Sequence, residues 1–564
     1  MPDFTDELTA NCLDCGHRAV YSTTLMACPA CQSEWLEAGY DYQGLASRLP
    51  NLLMQRPFDL WRYRELLPVR QHNPGLTMGE GGTPLIRAVN LGMMLGCPNI
   101  YIKDERQGPT SSFKDRQAPV NIAALKEAGI TEVVLASTGN VAIAYSAYAA
   151  RAGIKLWAFL TSLVPAEKMR EVAFYGTQVV KVTASYDQAK KVAAEYARQR
   201  NLYLERGARS IPSVEAMKTI AFEVCEQLAE ILAPFNSDPN GKKQARFQAP
   251  DWYFQAVSGG LGPRGVSKGF HELYQMGLIE HRPALGVIQV EGCSPMVKAW
   301  RENRETAEPT LSPRTHIATL ATGDPGRTYT LLRRYMKAEG GGIFESVTDE
   351  EAFRAMHILA KMEGISAEPA AAVAFAGLIK MARAGVIHPD DVIVVNCSGH
   401  TMPIERTILG EGWARNVVLS AQAADTPQEG LLAALSKITV DRYPNVLIVD
   451  DTEDARRLIR RILQAQGNYT ILEAVDGQQA IEIASKELPD LVILDLMMPE
   501  LDGFGVLDAL KADPNTAPIP VIVVTAKELT PDEKRRLSGQ IYTLMQKGEF
   551  MSDELLEEVN NLIK

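Results

Sequence analysis

From residue 78 to residue 413, short apolar runs alternate with longer stretches of helical period. The runs are NIYIKD, EVVLAS, IKLWAFL, QVVKV, WYFQAV, ALGVIQVEG and DVIVVNCSG. Each has the length and β-branched content of a buried strand, and they end in loops rich in Ser, Thr and Gly. Strands alternating with amphipathic helices predict an α/β fold with parallel sheets, whose ligands bind at the loops after the carboxyl ends of the strands. Residues 417–443 break the rhythm with AQAADTPQEG and a short helical run, LLAALSKI, which marks a linker. The rhythm then restarts with NVLIVDD, YTILEAVDG, DLVILDLMMPELDG, IPVIVVTAKEL and IYTLMQKGEF, each followed by a helical stretch. Five βα units in such a span predict a doubly wound, flavodoxin-like sheet. The most apolar stretch, 141–164, is interrupted by Arg151 and Lys155. It predicts a buried helix followed by a strand, not a membrane span.

The first forty residues have no such rhythm, but they hold half of the eight cysteines. Cys12-x2-Cys15 and Cys28-x2-Cys31 are two knuckles whose four thiolates can converge on one Zn²⁺. So short a segment buries little apolar surface, and a metal supplies the missing folding energy, so the expected role is structural. A redox dithiol would need one CxxC beside a βαβ pattern, and none is near. His17 reads as an exposed turn residue. Cys97, Cys225, Cys293 and Cys397 are scattered singly and read as structural thiols.

Length and charge narrow the function classes. With 564 residues, and roughly 100–200 residues per domain, several cores are expected. A formal charge of -11 gives no global attraction to nucleic acid or anionic lipid and points to a small-molecule or protein partner. The acidic start MPDFTDELTAN has no apolar signal core, so a cytoplasmic protein is expected.

Several strand-end loops carry candidate chemistry. Gly260, Gly262 and Gly265 spell G-x-G-x-x-G between WYFQAV and a helix, and Glu291 ends the next strand. That pattern admits NAD, but its firm content is a glycine-lined helix N-terminus able to hold a phosphate. Lys114 follows the polar turn 105–113 at the start of a helix, where neighbouring cations and the helix terminus favour the neutral amine that imine chemistry requires. Ser137, Thr138 and Asn140 open another helix and offer amides and hydroxyls to a carboxylate, while Cys397-Ser398-Gly399-His400 ends DVIVVN. These residues leave the cofactor open.

Taken together, GEGGTPL (79–85), IKDERQGPTSSFKDR (102–116), ASTGN (136–140), SGGLG (258–262), VEGCSP (290–295), Glu368-Pro369 and CSGH (397–400) resemble the fold type II pyridoxal-phosphate enzymes, and among them the threonine synthases that carry an N-terminal zinc ribbon. The resemblance covers residues 8 to 413. It implies a ribbon over 8–40 and a two-lobed, tryptophan-synthase-beta-like catalytic unit over 41–415. By the same resemblance Lys114 would form the internal aldimine and shuttle protons. Asn140 would face the pyridoxal 3′-oxygen, and Ser137 and Thr138 would hold the substrate carboxylate. Gly259, Gly260, Leu261 and Gly262 would cradle the cofactor phosphate, and Ser398 would face the pyridine nitrogen. A neutral hydroxyl there does not enforce a protonated ring, which favours elimination and replacement over transamination. The implied reaction converts O-phosphohomoserine and water to threonine and phosphate. Dehydratase-like or cysteate-synthase-like chemistry, and an amino-acid sensor without turnover, are the alternatives. The substrate phosphate asks for further cations; Lys103, Arg106 and Arg116 are near in sequence without an assignment. Departures from the family pattern are Ser111-Ser112, Gln117, Val141 and Leu261.

Beyond a linker at 416–443, residues 444–564 place Asp450 and Asp451 after the first strand and Asp495 after the third. Three carboxylates at one sheet edge repel unless a hard cation such as Mg²⁺ offsets them. The segment resembles a response-regulator receiver domain. The resemblance implies phosphorylation of Asp495, Mg²⁺ held by Asp450, Asp451, Asp495 and the Met497 carbonyl, and a switch at Thr525 and Lys547. Lys547 precedes Gly548 where the family has proline, and Leu544 stands at the aromatic switch position, with Tyr542 close by. The expected partners are an amino-acid substrate, a histidine kinase or other phosphodonor, and a second copy in a dimer, with neither nucleic acid nor membrane.

Overall fold

The computed structural model describes residues 8–137, 139–161, 164–183, 185–232, 247–400, 443–466, 469–527, 529–547 and 552–563. Thr138, most of the linker with its LLAALSKI run, and Gly548 lie outside these residues. The chain divides into two compact units, one of Met1–Ala88, Cys97–Met356 and Ser366–Met402, the other of Val89–Gly96, His357–Ile365 and Pro403–Lys564.

The first unit opens with three short antiparallel strands, β1 (Thr9–Cys12), β2 (Arg18–Val20) and β3 (Leu36–Gly39), in the order β2-β1-β3. Ten strands follow: β4 (Leu85–Arg87), β5 (Ile100–Asp104), β6 (Glu132–Ser137), β7 (Lys155–Thr161), β8 (Gln178–Val182), β9 (Tyr203–Leu204), β10 (Trp252–Ala256), β11 (Ala284–Val290), β12 (Gly342–Val347) and β13 (Ile393–Cys397). They form two sheets. One has the order β12-β11-β10-β13-β5-β4 and is parallel except for β4, which runs against β5. The other, β8-β7-β6-β9, is parallel throughout. The two lobes implied by the sequence are these two sheets, each with its own apolar core. Tyr253, Phe270, Val287 and Phe344 pack in one, and Leu135, Tyr145, Leu156 and Val164 in the other.

Each of the seven apolar runs read from the sequence contains a strand, and the stretch 141–164 forms most of the helix Asn140–Ala152, then β7. Three strands carried no usable signal. β4 is a three-residue edge and β9 has two residues. β12, GIFESV, follows Gly340 and Gly341 and carries polar residues that weaken its apolar run.

In the second unit, β14 (Asn445–Val449), β15 (Thr470–Ala474), β16 (Leu491–Leu494), β17 (Val521–Thr525) and β18 (Thr543–Gln546) form a parallel sheet in the order β15-β14-β16-β17-β18. This is the doubly wound flavodoxin-like order, and its switch point brings the ends of β14 and β16 together. Apolar clusters lie on both faces of the sheet, one around Leu447, Val492 and Leu507, the other around Ile448, Ile493 and Leu555.

Candidate active site

A cavity of about 730 Å³ opens in the first unit, within the range of small-molecule sites. Lys114, Asn140, Gly259, Gly260, Leu261, Gly262 and Ser398 all line it. These residues come from four loops far apart in sequence, gathered at the carboxyl ends of β6, β10 and β13 and the start of the helix Lys114–Glu127.

Lys114 is the first residue of that helix, with its ammonium 4.0 Å from the centroid of the Phe113 ring. Burial pulls its pKa down to about 8, while the carboxylates of Glu205 and Glu368 oppose the shift. A substantial neutral fraction near physiological pH is what a nucleophilic amine needs. The helix is pinned two residues on. Arg116, 1 % exposed, donates to Glu105 and Glu223 and to the hydroxyls of Thr83 and Thr219. Lys103 Nζ joins the same Glu223 at 2.7 Å. Asp115, between the two cations, is capped by the Thr110 amide and hydroxyl, yet burial raises its pKa to about 6. Arg106 pairs with Asp104 at 2.6 Å. The three cations near the lysine in sequence are thus held by protein carboxylates, and none of them lines the cavity. The cations that do include Lys190, Arg206, Arg209 and Arg327.

Asn140 opens the helix Asn140–Ala152 after Gly139, whose φ of +144° admits only glycine comfortably. Lys168 Nζ donates to Asn140 Oδ1 at 2.6 Å, and Asn140 Nδ2 donates to Glu368 Oε1 at 2.8 Å. A lysine ammonium has no acceptor, so it fixes which side of the amide is oxygen and which is N–H. Ser137, 1 % exposed, accepts from the Gly139 and Ala142 amides and does not line the cavity. Its oxygen serves the turn, and only its hydroxyl proton remains for another acceptor. Gln117 is buried and donates to Tyr145 and Ser213, tying its own helix to Asn140–Ala152 and Ile211–Met217. Ser398 is buried and lines the cavity, and its carbonyl accepts from the Phe113 amide, the residue before Lys114, at 3.0 Å.

The glycine loop ends at Gly260, φ +85°, and the fifteen-residue helix from Leu261 begins without a side-chain cap. Its first amides therefore face the cavity as an anion site. A Cβ on Gly262 would stand 2.4 Å from Gln255 Nε2, and one on Gly260 2.6 Å from Thr328 Cγ2. Gln255 Nε2 and Thr328 Oγ1 are buried without a hydrogen-bond partner, and both residues line the cavity. Unpaired buried polar atoms are costly. Two of them beside bare helix amides fit a phosphate ester, so the residues present suit pyridoxal phosphate: Lys114 for its aldehyde, this cradle for its phosphate. Gln255, Thr328, Lys168 and Glu205 were not singled out from the sequence. A glutamine in the otherwise apolar WYFQAV was the one available signal. Glu291, the acidic residue of the pattern that admits NAD, is exposed and lies outside the cavity.

At the ribbon, Cys12 Sγ and Cys31 Sγ are 3.6 Å apart, Cys15 Sγ and Cys28 Sγ 3.7 Å, and all four sulfurs lie within 4.8 Å of one another. Bonds of about 2.3 Å to a tetrahedral ion put sulfurs about 3.8 Å apart, so the set fits Zn²⁺. His17 is exposed, and Cys97, Cys225, Cys293 and Cys397 are all buried. Burial pushes the Cys293 thiol up to about 11, as befits an inert core group.

In the second unit Asp450, Asp451 and Asp495 offer carboxylate oxygens within 4.8 Å of one another. Lys547 Nζ lies 2.6 Å from both Asp450 Oδ2 and Asp495 Oδ2. Burial works against its charge, but the two carboxylates raise its pKa. Thr525 is buried at the end of β17, and its carbonyl accepts from the Lys547 amide. The Met497 amide donates to Asp495 Oδ1 at 3.1 Å, and Leu544 and Tyr542 are both exposed.

The family described as pyridoxal-phosphate dependent enzymes matches residues 76–399, and the response regulator receiver domain matches 446–560. A threonine synthase of Methanocaldococcus jannaschii is 33% identical over 391 residues, 69% of this chain and 91% of its own. One of Methanosarcina acetivorans is 31% identical over 399 residues, 71% of this chain and 93% of its own. Among solved structures, diaminopropionate ammonia lyase from Escherichia coli superposes with a TM-score of 0.50 at 15% identity, covering 66% of this chain and 93% of that one, a likeness of fold. Among the described residues no helix is long and apolar enough to cross a membrane.

Proposed function

The chain belongs to the pyridoxal-phosphate dependent enzymes, in a threonine synthase-like form that also carries a receiver domain, and from that premise we propose that it converts O-phosphohomoserine and water to threonine and phosphate under the control of the receiver. The observation that carries the reading is one cavity lined by both Lys114 and a glycine cradle with two unpartnered polar atoms, Gln255 Nε2 and Thr328 Oγ1, in a chain spanning 91% of a threonine synthase.

In this reading the bound cofactor supplies an electron sink that makes the substrate Cα and Cβ protons acidic. Lys114 Nζ takes those protons and returns protons as phosphate leaves Cγ and water adds at Cβ. Glu205 and Glu368 keep its pKa from falling further, so it passes between acid and base within reach of neutral pH. Asn140, its amide oriented by Lys168, presents an N–H to the cofactor oxygen. The amides after Gly260, with Gln255 and Thr328, would hold the cofactor phosphate, and Ser398 would offer the ring nitrogen a neutral hydroxyl that imposes no proton on it. The four ribbon thiolates hold a structural Zn²⁺. In the receiver, Asp450, Asp451 and the Met497 carbonyl would hold a Mg²⁺ that offsets the charge of an incoming phosphoryl group; Asp495 would accept that group from a histidine kinase or other donor, and Thr525 and Lys547 would read the change. The added charge biases a two-state surface.

The deciding assay incubates the purified holoenzyme with O-phosphohomoserine and, separately, with threonine. Equimolar phosphate and threonine from the first, lost in Lys114→Ala, support the reading. Keto acid from threonine without phosphate release would replace it with a dehydratase, and no turnover of either with ligand-induced spectral change would replace it with a sensor.

A further inference from the structure

The ribbon does more than fold by itself: its residues reach the cavity. Trp35, which precedes β3, lines the cavity beside Gly326, where a Cβ would lie 3.6 Å from the Trp35 ring. Its carbonyl accepts from the Leu13 amide at 3.0 Å, one residue past the ligand Cys12. The ring therefore stands where the first cysteine knuckle puts it. The Arg264 guanidinium, in the first turn of the cradle helix, sits 5.3 Å from the centroid of the Trp35 ring and donates to the Leu36 and Ala208 carbonyls.

The cations at the cavity are tied to the same ribbon. Arg327 pairs with Asp14, which lies between Cys12 and Cys15. Arg209 pairs with Glu34, three residues after Cys31. Arg206 donates to the Met26 carbonyl at 2.8 Å and lies 3.5 Å from Glu34. All three arginines line the cavity. A guanidinium has five N–H donors, and a single carboxylate partner leaves several for another anion. The carboxylates thus hold the forks in place without consuming them.

We propose that the ribbon is one wall of the substrate site, in which Asp14, Glu34 and Trp35 are positioning residues: the two carboxylates hold Arg327, Arg209 and Arg206, and the indole packs beside Gly326, next to Arg327, around the anionic tail of a phosphorylated amino acid. This rests on the reading of the cavity as a pyridoxal-phosphate site, but not on which phosphorylated amino acid is the natural substrate. The four thiolates that hold the metal thereby act on substrate binding through the chain between them.

The test uses zinc- and cofactor-loaded full chain, with inorganic phosphate as the probe, its binding followed by the cofactor absorbance and by calorimetry. Trp35→Ala, Asp14→Asn and Glu34→Gln are each expected to weaken phosphate about tenfold, with zinc content and bound cofactor retained. With O-phosphohomoserine the loss falls on KM more than on kcat, and Trp35→Phe restores most of it. Removing zinc with a chelator is expected to weaken phosphate by the same factor while the cofactor stays bound. Glu34→Gln touches neither knuckle, so it decides the matter if Asp14→Asn loses its metal. Undiminished phosphate affinity in Glu34→Gln and Trp35→Ala would overturn the proposal, as would a wild-type protein that binds no phosphate beyond its cofactor. Failure of the threonine synthase reading shows itself separately, as absence of turnover with phosphate binding intact.

Discussion

Raising the pH from 7 to 9 is expected to speed attachment of pyridoxal phosphate to the apoprotein about tenfold, and then to gain little more. The reasoning starts from Lys114, whose pKa is pulled from 10.5 to about 8 by burial against the opposing charges of Glu205 and Glu368. Only the neutral amine attacks an aldehyde, so the rate follows the neutral fraction. At a pKa of about 8 that fraction is about 9% at pH 7, about 50% at pH 8 and about 91% at pH 9. A lysine with the ordinary value would be about 0.03% neutral at pH 7 and about 3% at pH 9, a hundredfold rise with no plateau. The assay mixes apoprotein with excess cofactor in stopped flow and follows the visible band of the cofactor-bound lysine between pH 6.5 and 10. Glu205→Gln removes an opposing charge and is expected to move the midpoint lower. The same shift acts on stability. Because the folded value lies below the unfolded one, the unfolded chain binds more protons between about pH 8 and 10.5, so the apoprotein gains stability as pH rises through that window. Lys114→Met is expected to lose that gain. A rate still climbing tenfold per unit at pH 10 would refute the argument, as would Glu205→Gln moving the midpoint upward.

Other consequences follow from close contacts and charge. Gly262→Ala places a methyl 2.4 Å from Gln255 Nε2 and is expected to weaken cofactor binding at least tenfold in a dialysis titration, with Gln255→Ala recovering part of the loss. Gly503→Ala drives a Cβ to 2.2 Å from the Asp495 carbonyl oxygen, against backbone that cannot yield cheaply. A loss of about 1–3 kcal/mol is expected in the calorimetric transition of the receiver. Asp495→Asn is expected to abolish labelling by a small-molecule phosphodonor, while Lys547→Ala keeps labelling but alters its decay, read by phosphate-affinity electrophoresis. Asp450→Asn is expected to weaken Mg²⁺ by tenfold or more, measured by calorimetry.

What could be read from the sequence was what the chemistry compresses into short loops. Lys114, Asn140, Ser398 and the glycines of 259–262 each sit in a loop at a strand end or helix start, where local composition already differs from its surroundings. Their counterparts could not be read that way. Lys168 acts on Asn140 across 28 positions, and Glu368 across 228. Glu205 follows a two-residue strand with no periodicity to mark it. Thr328 lies 68 positions beyond the glycine it backs, and nothing in a ribbon of cysteines says that Trp35 will face a cavity built from other segments. Proximity in sequence could not assign the cations: Lys103, Arg106 and Arg116 are near Lys114 along the chain but spend their charge on Glu223, Asp104 and Glu105. The receiver was more legible, because its three central strands are buried runs of ordinary length and its acids lie directly at the ends of two of them.

The charge knot beneath Lys114 has a bearing on how such a sequence can change over generations. Lys103, Glu105, Arg116 and Glu223 are each no more than 2 % exposed and share their partners. Losing one partner from a buried pair strands its counter-charge at a cost of about 3–5 kcal/mol, a large part of a domain's net stability. Each single-step replacement therefore passes through a lineage that folds poorly, whereas a concerted exchange for apolar residues need not. The four positions are expected to be inherited together or lost together, and descendants in which Lys114 has been replaced are expected to keep the knot long after the helix start it pins has lost its lysine.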